Sequence, residues 1–95
     1  MIVKLSKPAN VDGVPLEEIT LDEARMNGRG IIAAERAAMA ESGGQPPIVR
    51  ALDAGFCAQL AAHAAKLSPD TIMDLGGGDF EAVAGAVRGF LLSTD

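Results

Sequence analysis

Cysteine and histidine each occur once, as Cys57 and His63, and a nucleophile, a general base or a metal ligand would be sought there first. Six residues apart on a stretch that reads as helix, they stand roughly 240° apart around its axis, so they cannot share a face as a dyad. Cys57 reads as a small buried hydrophobe, and His63 as a packed or half-exposed side chain at the edge of an apolar stripe. The carboxylate pairs Glu17-Glu18 and Asp22-Glu23 have no nucleophile or base beside them and read as solvated surface. Gly76-Gly77-Gly78 invites comparison with a phosphate loop. It lacks the following Lys and Ser or Thr, fits no dinucleotide fingerprint, follows a predicted helix and places Asp79 where an anion would sit. The sequence therefore offers no catalytic, cofactor-binding or metal-binding residue, and an enzyme is not expected.

Composition narrows the class. A chain of 95 residues reads as one domain, residues 1–95, able to bury roughly two thirds of its unfolded surface. The hydrophobic share is 48% but the aromatic share only 3%, so the core must be built from Ala, Leu, Ile, Val and three Phe, with close helix packing. A net charge of −5 with scattered basic residues works against nucleic acid, whose binding rests on clustered Lys and Arg. No apolar run approaches the roughly 20 residues that span a bilayer, and no signal-peptide block opens the chain. The expectation is a soluble cytoplasmic protein, and a lone cysteine fits a reducing compartment.

The elements that would position these residues are written most clearly in the last third. Ser68 caps a short helix opening at Pro69, and Asp70 lies in its first turn. The glycine triplet is expected to end that helix in left-handed backbone, and Asp79 to cap a second helix through Leu92. Phe80, Val83, Ala84, Val87, Phe90 and Leu91 recur at offsets of three and four, a core stripe that leaves Glu81 and Arg88 outside. Gly85 and Gly89 read as a site of tight packing within the domain. At the other end, Ile2 to Lys7 and Val14 to Leu21 read as strands joined at Asp12-Gly13. Pro8 and Pro15 remove ladder donors, so this hairpin is expected to fray at its tip and pair best near Leu5 and Ile19. Between the ends, Asn27 caps an alanine-dense helix to about Ser42. A second helix is expected from about Ile48 to Lys66 with the stripe Val49, Leu52, Phe56, Leu60, His63 and Leu67. The fold class is α+β: an N-terminal β-hairpin, residues 1–21, followed by about four helices in residues 27–92.

Lys4-Leu5-Ser6-Lys7-Pro8, then Asp12-Gly13, then Leu16-Glu17-Glu18-Ile19-Thr20-Leu21 resembles the opening of the phage tail assembly chaperones of contractile-tailed and Mu-like phages. Leu67-Ser68-Pro69, Met73-Asp74-Leu75, Asp79-Phe80 and Gly89-Phe90-Leu91 resemble that family's close. The order and spacing of these short motifs over nearly the whole chain carry the likeness. One departure is Asp22-Glu23-Ala24-Arg25, where the family usually continues Arg-Glu-Pro-Thr. The resemblance implies a non-catalytic, prophage- or phage-encoded assembly factor. It would bind the tape-measure protein, keep it soluble, help tail-tube subunits collect around it, and be absent from the mature virion. Self-association and a frameshifted longer product stay open.

Within that reading, the helix after Asn27 becomes the candidate partner site. Its large apolar side chains are Ile31, Ile32 and Met39 among alanines, which fits either a helix that simply completes the bundle or one held loosely that lends those three residues to apolar client helices. Two other readings stand beside it. Asp74-Leu75-Gly76-Gly77-Gly78-Asp79-Phe80 partly echoes the attachment site of acidic carrier proteins, without its serine. A generic protein-interaction module is the remaining alternative.

Overall fold

In a computed structural model, described for residues 1–45 and 48–93, the chain forms an antiparallel hairpin followed by four α-helices. Strand β1 (Ile2–Val11) pairs with β2 (Val14–Thr20). The turn between them places Asp12 and Gly13 at φ of 52° and 83°, the positive values that a two-residue hairpin matching the strand twist requires. Asn10 steadies it, its side-chain oxygen accepting from the Gly13 amide at 2.8 Å.

The tip does not fray. Val11 faces Val14 and Asn10 faces Pro15. Residues flanking a two-residue turn exchange hydrogen bonds and the next pair does not, so Pro15 stands where its missing N–H costs the ladder nothing. The irregularity lies in mid-strand instead. Pairing is regular from Ile2 to Lys4 and resumes at Ala9 opposite Leu16, so Leu5 to Pro8 bulge across from Glu17 alone. Leu5, expected among the best-paired residues, is in the bulge.

Asp22 and Arg25 end the hairpin in a 3-10 turn at Glu23–Arg25, with the Asp22 carboxylate accepting from the Ala24 amide at 3.0 Å. Helix α1 is Gly28–Glu41, capped by Asn27, whose side chain accepts from Gly30 N. The predicted helix from Ile48 to Lys66 is broken. A 3-10 turn at Arg50–Leu52 precedes helix α2 (Ala54–Ala65), and Asp53 caps α2 by accepting from the Phe56 amide at 2.7 Å. Val49 and Leu52 are consequently off the stripe and exposed. Helix α3 (Pro69–Met73) opens as expected on the Ser68 hydroxyl.

Helix α4 (Gly77–Leu92) starts three residues early, with Gly76 rather than Asp79 at its cap. Asp79 is thus inside the first turn rather than before it. The triplet adopts no positive φ; left-handed backbone falls instead at Lys66, with φ 58°. Leu67 N–H then reaches the Ala62 carbonyl at 3.0 Å, the six-residue closure that satisfies a helix end.

The centre of the molecule is α2. Every residue from Phe56 to Ala62 is buried, and α2 packs against α1, α3, α4, both 3-10 turns and β2. Its alanines, with Cys57 and Gln59, leave room for neighbours on all sides, while Phe56 and Leu60 supply volume. Ile19, Leu21 and Met26 close the core from the hairpin side, Ile72 from α3, and Val83 and Val87 from α4. Phe90 only borders this core, and Arg88 is half-buried, its Nε donating to the Ala51 carbonyl at 2.9 Å.

Candidate functional site

The residues singled out for chemistry stay apart in function. Cys57 is fully buried, with Sγ 3.6 Å from the Ala51 carbonyl oxygen. Burial pushes its thiol above the ordinary value; the Arg88 guanidinium pulls the other way and Asp53 adds to the rise. A thiol held from its thiolate form is a poor nucleophile. His63 is half-buried, and its carbonyl accepts from Arg25 Nε at 2.8 Å. Among the described residues no group of three His, Cys, Asp or Glu could hold a metal ion.

Asp79 has a structural task. Its carboxylate accepts from the Ser6 amide at 2.8 Å, the Ser6 hydroxyl at 3.0 Å and the Lys7 amide at 3.3 Å. The bulge at Leu5 to Pro8 frees those two amides from the ladder, and a side chain from the first turn of α4 takes them. The backbone bond from Ser6 leads in holding this carboxyl below its ordinary value, against some desolvation. The cleft in front of the glycine triplet is walled by Ser6 to Asn10 and by Asp70 and Asp74, and the Ser6 and Lys7 amides on its wall are already engaged by Asp79. Sequence spacing identified Asp79 as important but assigned it to the wrong partner.

The candidate partner residues divide. On α1, Gly30, Ala34 and Ala38 are buried against α2. A side chain at Gly30 would collide with the Arg25 carbonyl and come 3.1 Å from His63 Cδ2, so this glycine lets α1 sit close against the Glu23–Arg25 turn and beside His63 of α2. Ile31 turns inward and packs against the core. Ile32 is 50% exposed and Met39 half-buried; seven residues apart, they lie within roughly 20° of each other around the helix. The structure therefore brings Ile32 and Met39 to one side and separates Ile31 from them.

Sequence reasoning missed what lies beside that row. The Arg50 guanidinium donates to both oxygens of Glu35 on α1, at 3.0 Å each, and ties the segment before α2 to the helix. That segment exposes Ile48, Val49 and Leu52. The available signal was Asp53, a cap residue three before Phe56, which marks a helix start rather than a helix interior.

With this geometry in hand, comparison with known proteins is direct. Residues 2–92 match the family described as "Phage tail assembly chaperone proteins, E, or 41 or 14". No curated protein and no solved structure matches the chain.

Proposed function

The chain belongs to the phage tail assembly chaperone family, and we propose that it acts without catalysis, binding the tape-measure protein and keeping it soluble while tail-tube subunits collect around it. The observation that carries this reading is the family match across nearly the whole chain. The surface supports it: apolar side chains stand exposed at Ile32, Ile48, Val49 and Leu52. The described helices include none long and apolar enough to cross a membrane. The protein works in the host cytoplasm and leaves before the virion is complete.

Ile31, Ile32 and Met39 are the client-binding residues in this proposal. Ile32 and Met39 meet the client directly, and Ile31 seats α1 on the core beneath them. A glycine and two alanines form the buried side of α1, and each gains little on burial. The helix can therefore adjust its position to clients of different shape, with Met39 adapting its side chain.

Co-expression with a candidate tape-measure protein tests the reading, followed by hydrogen exchange on the complex. The expected result is a soluble complex in which amides from Ile31 to Met39, faster to exchange than Val83 to Leu91 in the free protein, slow on binding. A tape-measure protein that stays insoluble in the presence of this chain would overturn it.

A further inference from the structure

At 100° per residue, the outward side of α1 reads, in angular order, Glu35, then Met39 and Ile32, then Arg36 and Arg29. The two apolar residues and the two arginines each repeat at seven, so they form parallel rows along the helix. The rows differ in how their charges are compensated. Glu35 is neutralised by Arg50 at 3.0 Å, whose chain neighbours Val49 and Leu52 are exposed. Arg29 and Arg36 are exposed and have no carboxylate within salt-bridge distance among the described residues. On a chain of net charge −5, this is a strip of uncompensated positive charge bordering an apolar row.

We infer that this face takes an α-helix of the client that carries an apolar stripe at three-and-four spacing and acidic side chains along one flank. The inference rests on the chaperone reading and adds the chemistry of the segment recognised. The apolar stripe packs on Ile32 and Met39; the acidic flank lies along Arg29 and Arg36. Heptad spacing on both partners keeps the two rows in register over successive turns. Exposed Ala33, beyond the arginines, presents no bulk to hold the partner away. A basic flank would meet two guanidinium groups and be rejected, so charge sets the orientation of the bound helix as well as its identity.

Two synthetic three-heptad peptides provide the test, both with Leu at the stripe positions, one with Glu and the other with Lys along the flanks. Fluorescence anisotropy with the full chain should show the Glu peptide bound more tightly, by on the order of tenfold at low salt, with the gap closing as salt rises. The Arg29→Glu/Arg36→Glu variant should invert the preference, and its thermal melt should match the parent because both side chains are exposed. Ile32→Ser/Met39→Ser should lose both peptides. Equal binding, a preference for Lys, binding of neither peptide, or a preference untouched by charge reversal would overturn the inference. So would a chain that self-associates and becomes monomeric on charge reversal, since a second copy would then own the face. Undiminished capture of the tape-measure protein by the charge-reversed variant would remove this inference and leave the chaperone reading standing. A wild-type chain that binds the Glu peptide but no tape-measure protein would do the opposite.

Discussion

The Asp79 carboxylate accepts a 2.8 Å hydrogen bond from the Ser6 amide, joining residues 73 apart in sequence. It fastens the hairpin to α4 at the point where β1 leaves its ladder. Replacing it with Ala orphans two main-chain donors and a hydroxyl at once, and unsatisfied partners are where the cost of losing a hydrogen bond concentrates. Asp79→Ala is therefore expected to lower the melting temperature well beyond Asp74→Ala, whose parent side chain is exposed. Asp79→Asn, which keeps an acceptor but turns a donor toward the amides, should fall between them. Equal melts for the two alanine variants would mean the clasp contributes nothing.

The same contact predicts an acid limb. The Asp79 carboxyl is held below its ordinary value of 3.8, so the folded state binds its proton less readily than the unfolded chain. The stabilisation is whole above that unfolded value and is lost as pH falls below it toward and through the depressed folded one. Thermal melts taken downward from pH 5 should fall more steeply for the parent than for Asp79→Asn. Parallel curves would exclude this linkage.

Two glycine substitutions should move stability in opposite directions. Gly30→Ala drives a Cβ into the Arg25 carbonyl and should cost about 1–3 kcal/mol as α1 and the Glu23–Arg25 turn are forced apart. A Cβ at Gly85 meets nothing within 4 Å, so Gly85→Ala in the middle of α4 should stabilise by about 0.5–1 kcal/mol through helix propensity. Urea titrations of both variants check this.

Core truncation should rank Phe56 above Phe90. Phe56, in the first turn of α2, is 0% exposed, and Phe56→Ala should cost about 3–5 kcal/mol. Phe90→Ala should cost distinctly less, because its ring only borders the core. Arg88→Ala removes a half-buried donor from the Ala51 carbonyl and should cost about 1–2 kcal/mol, more than a freely solvated arginine would. A denaturant series in which Phe90 outranks Phe56 would contradict this packing.

These comparisons show what the sequence makes legible. Local signals survive intact: Asp12-Gly13 at the turn, Asn27 and Ser68 as caps, Pro69 at a first helical position. The hairpin-plus-helices class follows from them. What escapes is any feature whose cause lies far along the chain. Gly76 rather than Asp79 caps α4 because the aspartate is drawn to Ser6 and Lys7, and no window around Asp79 contains that information. The central place of α2 is not legible because periodicity finds one-sided stripes, whereas a helix buried all round with alanine shows a weak one. Of the proposed client face, the spacing at seven makes the shared side of Ile32 and Met39 legible, whereas the inward turn of Ile31 is not, and the Arg50–Glu35 pair depends on a break in the helix at Asp53.

The bulge at Leu5 to Pro8 also orders events on the ribosome. Synthesis delivers β1 first and Asp79 only after α1, α2 and α3, so two main-chain donors leave the tunnel long before their acceptor exists. During that interval the hairpin can close its own turn at Asp12-Gly13, because those contacts are local, but it cannot be fastened to the helices. Fastening is thus coupled to translation of α4, and a nascent chain stopped short of Asp79 presents a hairpin with open amides to whatever strand or carboxylate is nearby.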